Sequence, residues 1–533
     1  MVRRMGRSSA IHSQTGPHPD TLAVMKRSVV RYWPVPIGIL VGIVLLWYRG
    51  ELLVLDGTPA GYQWPAWVYS AWNWREGHLN MMDPFRDPLH SVLVGTGGEL
   101  LGYPDAALVV AGLSMVVVLV AAAMIATFLG DRWAGALTAV TVPLSPVVVS
   151  GARWGTGYPL AAALVGVTVA AAAWFLRRPG LRPLLLCCVG IALGLLTDDR
   201  CIFAVPPAVV LVGWGALRQR RRWLQLAPLA LAAAVAIGHT GAPWLGQFNG
   251  LDWEKKKYVQ KRVVHRWATT DAMGADMKTA CWNMPWELYL TYDYLGTECA
   301  VEIFQFNTEK RLPTAAAWPA SVLLVGVLLW GVRRRDFAVP VTGASIAAVV
   351  VVSAVMTPLP GRYLLILTAL LAPMVPVGIA TVLRRTPEAV RAAACLAGAL
   401  VVVQADPHGE SRKNYQHNDA KWSRPGEWAA TMRQQMRPGD ELLDCADAFV
   451  EVAMLPELVN RALPNLTMPD ERPCQIWLAG APAAGMRFVL VPITAKPERT
   501  DFHAQLGQSR DWWLVLQRDK VALWRRAPAV AEP

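Results

Sequence analysis

Three aspartates follow the first apolar segment of the chain and precede a long series of further apolar segments. Asp56 comes directly before Gly57, and Asp83 and Asp87 flank an arginine in the run D-P-F-R-D-P. A carboxylate can act as a general base toward a hydroxyl group, or can bind a divalent cation that holds a phosphate. His78 lies in the same segment and could join such a metal site. The alternatives are turns with solvated charges for the acids and an ordinary surface position for the histidine.

Asp198, Asp199 and Arg200 form a second charged group, at the end of another apolar run. Adjacent acids at a membrane boundary are unfavourable unless they are solvated or paired, which makes this trio a candidate functional site. The alternative is a turn in which Arg200 pairs with one of the two acids. We expect at least one member to be functional, and Asp198 is a further candidate catalytic carboxylate.

Three arginines are candidates for binding a phosphate group. Arg153, Arg200 and Arg362 each stand in a short segment between apolar runs. A guanidinium group is always charged and can donate two parallel hydrogen bonds to phosphate oxygens. Tyr363 follows Arg362 and is a candidate lining residue of the same site. The alternative is that these long side chains extend from the bilayer to its polar surface without binding a ligand.

The composition indicates that membrane-spanning elements position these residues. Of the 533 residues, 54% are hydrophobic and only 17% are charged, whereas about a quarter are charged in soluble proteins. The formal net charge is +12, but the arginines cluster in short segments between apolar runs. That distribution is typical of membrane orientation signals rather than of nucleic-acid binding. We therefore expect a protein that lies in the lipid bilayer and does not bind nucleic acid.

The apolar runs predict about eleven transmembrane helices, because a spanning helix needs roughly 20 mostly apolar residues. The predicted fold class is thus a polytopic α-helical membrane protein with a small extracytoplasmic α/β domain at its C-terminal end. The predicted spans are 33–49, 105–129, 133–150, 158–176, 182–197, 201–217, 224–244, 314–332, 337–357, 362–383 and 388–404.

The basic residues predict the orientation of these spans. Lys and Arg are retained on the cytoplasmic side of membrane proteins, and residues 1–31 are strongly basic. Alternation of the spans then puts the arginine-rich short loops on that same side, whereas each short outer turn holds one arginine. The pattern predicts a multi-pass protein of a bacterial-type cytoplasmic membrane, with its N-terminus in the cytoplasm. The cytoplasmic loops would contain Arg132, Arg177, Arg178, Arg218, Arg220, Arg221, Arg222, Arg333, Arg334, Arg335, Arg384 and Arg385.

Composition divides the chain into a basic cytoplasmic tail (1–31), a transmembrane domain (32–404) and a polar extracytoplasmic domain (405–533). Two long outer loops, 50–104 and 245–313, interrupt the transmembrane domain. The last domain alternates helix-like with strand-like segments, which predicts an α/β fold. Its candidate strands are 441–445 and 487–493, with a β-hairpin over 512–524.

Four tryptophans in the first outer loop, Trp64, Trp67, Trp72 and Trp74, have the spacing of an amphipathic helix. Tryptophan is favoured at the bilayer surface, so we expect this helix to lie in the interface. Sugar stacking is the alternative role of these rings.

Four cysteines fall in the predicted outer segments. Cys281 and Cys299 share the second outer loop, and Cys445 and Cys474 share the C-terminal domain. An oxidising compartment favours a disulfide within each couple, and four free thiols are the alternative.

The layout resembles the GT-C superfamily of membrane glycosyltransferases, and within it bacterial proteins related to protein O-mannosyltransferases and aminoarabinose transferases. These proteins have a basic N-terminus, a long first outer loop with an acidic motif, and often an outer C-terminal domain. The likeness rests on Asp56 and on four segments: W-N-W-R-E-G-H at 72–78, D-P-F-R-D-P-L-H at 83–90, G-A-R-W-G-T-G-Y-P at 151–159 and P-G-R-Y-L-L at 360–365.

The resemblance implies a glycosyltransferase that takes its sugar from a polyprenyl-phosphate donor and passes it to an extracytoplasmic acceptor, with inversion. Asp56 would be the catalytic base, and Arg362, Arg200 and Arg153 would bind the donor phosphate. The family commonly has a second acid directly after the first, whereas Gly57 stands there in this chain. Either Asp56 acts alone, or Asp83, Asp87 or Asp198 supplies the second carboxylate, with a divalent cation as an optional cofactor.

Two other functions fit the same residues. A transporter or flippase for a lipid-linked envelope precursor would need the phosphate-binding arginines but no catalytic acid. A structural assembly factor would use the outer domain to bind another envelope protein. It would need neither the phosphate-binding arginines nor a catalytic acid.

Overall fold

The computed structural model describes only part of the chain. The described residues are 33–50, 52–55, 59, 64–75, 88–219, 226–238, 342–343, 346, 361–383, 385–404, 434–435, 441–444, 486–493, 502–518 and 521–527.

The described part is mostly helical up to residue 404 and contains a β-sheet after it. The helices are α1 (Pro34–Gly50), α2 (Trp64–Arg75), α3 (Pro88–Leu101), α4 (Tyr103–Leu129), α5 (Arg132–Thr141), α6 (Pro146–Gly151), α7 (Tyr158–Arg177), α8 (Leu181–Leu195), α9 (Val205–Gln219), α10 (Leu226–Gly238), α11 (Gly361–Leu371), α12 (Met374–Val382) and α13 (Glu388–Gln404). Short 3₁₀ turns occupy Val142–Leu144 and Asp199–Ala204.

Several of these helices are suited to cross a bilayer. Within the described ranges, Tyr103–Leu129, Tyr158–Arg177 and Arg200–Arg218 are long and apolar enough to span it, and four shorter apolar helices accompany them. The shorter ones are Pro34–Gly50, Leu181–Leu195, Leu226–Gly238 and Leu365–Thr381. The chain is therefore a multi-pass membrane protein. The total of eleven spans stays a prediction, since 314–332 and nearly all of 337–357 lie outside the described residues.

Two predicted spans are interrupted in the structure. The segment 133–150 forms α5, a 3₁₀ turn and α6 instead of one helix. Pro143 and Pro146 lack the amide hydrogen that a continuous helix needs at these positions, and each proline ring clashes with the preceding turn. Likewise 362–383 divides into α11 and α12 beside Pro373. Apolar composition predicted the membrane location of both segments but did not reveal the breaks.

The centre of the bundle consists of α4 and α7, which pack closely because they are rich in small residues. Ala121 of α4 lies against Gly166 of α7, where an added Cβ atom would be 3.0 Å from the alanine methyl group. Small side chains let membrane helices approach and gain van der Waals contact, which is a main source of association in lipid.

Helix α1 packs against α5 through glycines one helical turn apart. A Cβ atom on Gly38 would lie 2.6 Å from the carbonyl oxygen of Ala136, and one on Gly42 would collide with that of Ala139. The opposite face of α1 exposes large apolar side chains, among them Ile37. Glycine is needed at both positions because the two backbones are almost in contact.

Ionic contacts join α5 to α13 at one end of the bundle, which we call the Asp131 end. Arg132 donates to both carboxylate oxygens of Glu388 from Nη2, at 2.6 and 2.8 Å, and Trp133 also donates to that carboxylate. Arg391 donates to Asp131 at 2.7 Å, and the other oxygen of Asp131 caps α5 by accepting from two backbone amides at 3.0 Å. These contacts fix the start of α13 against the bundle.

Arg177 lies at the same end, because its guanidinium group donates to the carbonyl oxygens of Phe128 and Leu129. The positive-inside pattern assigns Arg132 and Arg177 to one side of the membrane, and the structure brings both to the Asp131 end.

After residue 404, the described chain forms a four-stranded sheet with the order β1-β2-β4-β3: β1 (Glu441–Asp444), β2 (Met486–Pro492), β3 (Trp512–Arg518) and β4 (Val521–Arg526). The β1–β2 pair is parallel, and the other two pairs are antiparallel. Helix α14 (Phe502–Gln508) covers the sheet, with Leu506 packed against Val489 and Trp524. The predicted strands and the hairpin between β3 and β4 are therefore present.

Candidate functional site

The segment between α6 and α7 carries Arg153 and forms a compact turn. The backbone amide of Arg153 donates to the carbonyl oxygen of Ser150 at 3.1 Å, and that of Trp154 donates to Gly151 at 3.2 Å. Arg153 is only 5% exposed and Thr156 only 3%. An arginine placed so deeply is held by its surroundings rather than extended into solvent. We call this end of the bundle, opposite to Asp131, the Arg153 end.

Asp198 and Arg200 form an ion pair on the turn between α8 and α9. Nη1 of Arg200 lies 3.2 and 3.1 Å from the two carboxylate oxygens of Asp198. The backbone amide of Arg200 donates to the same carboxylate at 2.8 Å, which caps the 3₁₀ turn that follows. The carboxylate is thus hydrogen-bonded although its side chain is only 8% exposed, whereas the Arg200 side chain is 35% exposed.

This pair lies at the Arg153 end. The thiol of Cys201 is 3.7 Å from the carbonyl oxygen of Ala161, in the first turn of α7. Because Arg153 precedes α7 by a few residues, both charged segments meet at the N-terminal end of that helix. The side chain of Asp199 lies outside the described residues.

Helix α11 begins at the same end. Leu365 packs against Gly151, where an added Cβ atom would be 2.9 Å from the leucine. Ala369, one turn later, lies against Gly166 in the middle of α7, so α11 runs away from the Arg153 end. The backbone of Arg362 and Tyr363 is therefore at the Arg153 end, and their side chains lie outside the described residues.

Helix α1 also ends there and leads toward Asp56. A Cβ atom on Gly50 would be 3.3 Å from Ala152, directly before Arg153. Leu52 and Leu53 then pack against Gly112 of α4. Leu53 has a φ of 59°, a left-handed conformation that is rare for a branched residue and is associated with strain at functional segments.

The remaining predicted acids and histidine cannot be placed. Asp56, Gly57, His78, Asp83 and Asp87 lie outside the described residues, although Leu55 and Pro88 adjoin them on either side. Among the residues that the structure describes, no group of three or more His, Cys, Asp or Glu side chains could hold a metal ion.

Among the cysteines whose side chains the structure describes, Cys187 and Cys188 carry free thiols. The predicted pairs of Cys281 with Cys299 and of Cys445 with Cys474 lie outside the described part of the chain.

The tryptophan helix differs from its prediction. Helix α2 spans Trp64–Arg75 as expected, but Trp67 is 3% and Trp72 is 8% exposed. Trp67 packs edge-on against His90, with ring centroids 4.9 Å apart, and against Tyr158 at 6.0 Å. Protein, rather than the bilayer surface, surrounds this ring. His90 is completely buried, and its only sequence signal is its position at the end of the motif D-P-F-R-D-P-L-H.

Comparison with solved structures identifies the fold. ArnT from Cupriavidus metallidurans bound to undecaprenyl phosphate matches with a TM-score of 0.56 at 14% identity, over 94% of this chain and 99% of that one. The same protein in the apo state matches with a TM-score of 0.55 at 15% identity, over 96% and 100%. AglB from Archaeoglobus fulgidus, in complex with an inhibitory peptide and a dolichol-phosphate, gives a TM-score of 0.49 at 11% identity, over 87% and 69%.

The chain therefore shares the fold of ArnT, in agreement with the resemblance to aminoarabinose transferases that the sequence suggested. No protein-family model matches the sequence, and no curated protein matches it either.

Proposed function

We propose that this protein is an inverting membrane glycosyltransferase that moves a sugar from a polyprenyl-phosphate donor to an extracytoplasmic lipid, glycan or protein acceptor. The observation that carries the proposal is the meeting of three segments at the Arg153 end. They are the Arg153 turn, the Asp198–Arg200 pair and the start of α11 with Arg362. Support also comes from the shared fold with ArnT, one structure of which contains undecaprenyl phosphate.

The donor phosphate would bind to Arg153, Arg200 and Arg362. The Arg200 side chain combines fixed geometry, through its bonds to Asp198, with 35% exposure. A guanidinium group that is already oriented loses less conformational entropy when it binds a phosphate. Tyr363, which follows Arg362, would line the same site.

Asp56 would accept the proton of the acceptor hydroxyl, or hold the acceptor if its nucleophile is an amine. The acceptor atom then forms a bond to the anomeric carbon while the bond from that carbon to the phosphate oxygen breaks. The polyprenyl phosphate leaves with the electron pair, on the face opposite to the attack, so that the configuration inverts. Positive charge fixed near the leaving oxygen stabilises this transition state.

The second carboxylate that the family usually has after the first would come from Asp83, Asp87 or Asp198, because Gly57 follows Asp56. In the alternative role of Asp56, its carboxylate would hold a divalent cation, with His78 as a further ligand, and the cation would neutralise phosphate charge.

The proposed topology puts residues 1–31 in the cytoplasm and residues 405–533 outside it, where the C-terminal part would present the acceptor. The Arg153 end would then face away from the cytoplasm, and the cysteine couples of the outer segments would form disulfides.

The test measures sugar transfer from a labelled polyprenyl-phosphate sugar by membranes that contain the full-length protein. We expect transfer with the wild type and its loss in Asp56→Asn, because an amide cannot accept the proton. Asp511→Asn is the control, since Asp511 is an exposed acid of the C-terminal part and has no proposed catalytic role. Full activity of Asp56→Asn would exclude this residue as the base.

The same assay distinguishes the transporter or flippase function. A wild-type protein that binds the lipid-linked sugar and moves it across the membrane, without forming a glycosylated product, would contradict the enzymatic proposal.

A further inference from the structure

Helices α2 and α3 lie side by side in the same direction, with Trp67 beside His90 and Arg75 beside Glu99, and form a packed helix pair beside the candidate site. Gly95 of α3 faces α2, where an added Cβ atom would lie 2.8 Å from the carbonyl oxygen of Ala71 and 2.9 Å from the ring of Trp74. Val68 of α2 and Val94 of α3 form a small core with the first turns of α4. The two helices of this pair are therefore held against each other and against α4.

Its first contact is with the Arg153 segment, through Trp67. This ring is 6.0 Å from that of Tyr158 and lies directly over Gly157. A Cβ atom on Gly157 would be 2.6 Å from Cη2 of Trp67, closer than real Cβ atoms approach. Gly157 is four residues after Arg153, so the tryptophan contacts the end of this segment.

Its second contact is with the segment that carries Asp198 and Arg200. The backbone amide of Leu89 donates to the carbonyl oxygen of Leu196 at 3.1 Å, two residues before Asp198. The next residue, His90, packs against Trp67 with ring centroids 4.9 Å apart. The pair of rings thus joins the residue that contacts the Arg153 segment to the neighbour of the residue that contacts the Asp198 segment.

We propose that Trp67, seated on Gly157 and against His90, is a positioning residue for the donor phosphate. It holds the Arg153 segment and the Asp198–Arg200 segment at one separation, so that both guanidinium groups can bind the same phosphate. This inference rests on the proposed function, because it assumes a phosphate-bearing lipid at the Arg153 end. Sites that bind through several groups are sensitive to position, and a displacement of about 1 Å can change a rate by about a hundredfold.

The test measures binding of two probes to the purified full-length protein: undecaprenyl phosphate and the uncharged undecaprenol. The Kd for undecaprenol divided by the Kd for undecaprenyl phosphate is the recognition ratio, and it reports recognition of the phosphate separately from recognition of the polyprenyl chain. General damage to the fold lowers the affinity for both lipids, whereas misplaced arginines lower it for the phosphate alone.

In Gly157→Ala, the new methyl group must displace Trp67, and we expect the ratio to fall about tenfold, equivalent to about 1.4 kcal/mol of phosphate recognition. The matched control is Gly213→Ala in α9, where an added Cβ atom meets nothing within 4 Å. We expect that variant to keep the wild-type ratio.

Trp67→Phe is the second variant and keeps the proposal testable should Gly157→Ala not fold. Phenylalanine lacks the indole atoms that contact Gly157. We again expect a lower recognition ratio, with the Kd for undecaprenol unchanged. A folded Gly157→Ala or Trp67→Phe protein with the wild-type ratio would overturn the positioning role. A wild-type protein that does not prefer the phosphate would instead reject the proposed function itself.

Discussion

Arg200 and Asp198 hold each other in a fixed arrangement, with Nη1 of the arginine 3.1 and 3.2 Å from the two oxygens of the carboxylate. The pair is asymmetric, because the Asp198 side chain is 8% exposed and that of Arg200 is 35% exposed. A buried acid that orients an accessible arginine is suited to bind an anion, since the arginine remains charged and is already placed.

Asp198→Asn tests this arrangement. The amide oxygen can still accept from the backbone amide of Arg200, but the charge that orients the guanidinium group is lost. Loss of a charged hydrogen bond is worth about 1.5–3 kcal/mol, so we expect kcat/KM for the donor to fall about 10- to 100-fold. Glu99→Gln, in an exposed pair with Arg75, is the control and should have little effect. An unchanged kcat/KM in Asp198→Asn would show that the ion pair only stabilises the turn and does not orient Arg200 for the donor.

The sequence singled out Arg153, Asp198 and Arg200 by residue type, and the structure brings them to one end of the bundle, while their role in a site stays a prediction. Arg153 and Asp198 are charged residues beside apolar helices, where a charge persists only if it is paired or solvated. Which residues meet across the bundle depends on helix packing, which composition does not encode. The approach of Trp67 to Gly157 is such a case, and the prediction that Trp67 lies at the bilayer surface was wrong because of it.

Gly42→Ala tests the packing of α1 against α5. The added Cβ atom would collide with the carbonyl oxygen of Ala139, and the two backbones would have to separate. We expect a loss of about 1–3 kcal/mol in stability, measured as a lower Tm in detergent. Gly213→Ala, with open space around it, should keep or raise the Tm because alanine favours the helix. An unchanged Tm in Gly42→Ala would mean that α1 and α5 are not in close contact.

A double-mutant cycle tests the attachment of α13 at the Asp131 end. Arg132→Ala and Glu388→Ala each remove one partner of a multiply bonded pair. Because both side chains are partly exposed, we expect a coupling free energy of only about 0.5–1 kcal/mol. The control cycle combines Glu388→Ala with Arg178→Ala, because Arg178 is an exposed arginine of the α7–α8 turn. In that cycle the changes in the free energy of unfolding should be additive. Additivity in the first cycle would show that the ion pair is absent in solution.

Cysteine labelling in intact cells tests the proposed orientation. Arg510→Cys lies at an exposed position between α14 and β3, and Arg178→Cys lies at an exposed position directly after α7. We expect a membrane-impermeant maleimide to label Arg510→Cys in intact cells, and Arg178→Cys only after lysis, each compared with the unsubstituted protein. The reverse result would invert the topology and place the Arg153 end in the cytoplasm.

The glycine face of α1 has a consequence for biosynthesis. Its partner α5 begins only at Arg132, after α2, α3 and α4. When α1 enters the membrane, Gly38 and Gly42 therefore have no backbone to pack against. Until α5 has been synthesised, α1 contacts lipid, and large apolar side chains such as Ile37 and Leu40 favour that location. The apolar face of α1 thus favours insertion into the membrane, and the glycine face allows later packing against α5.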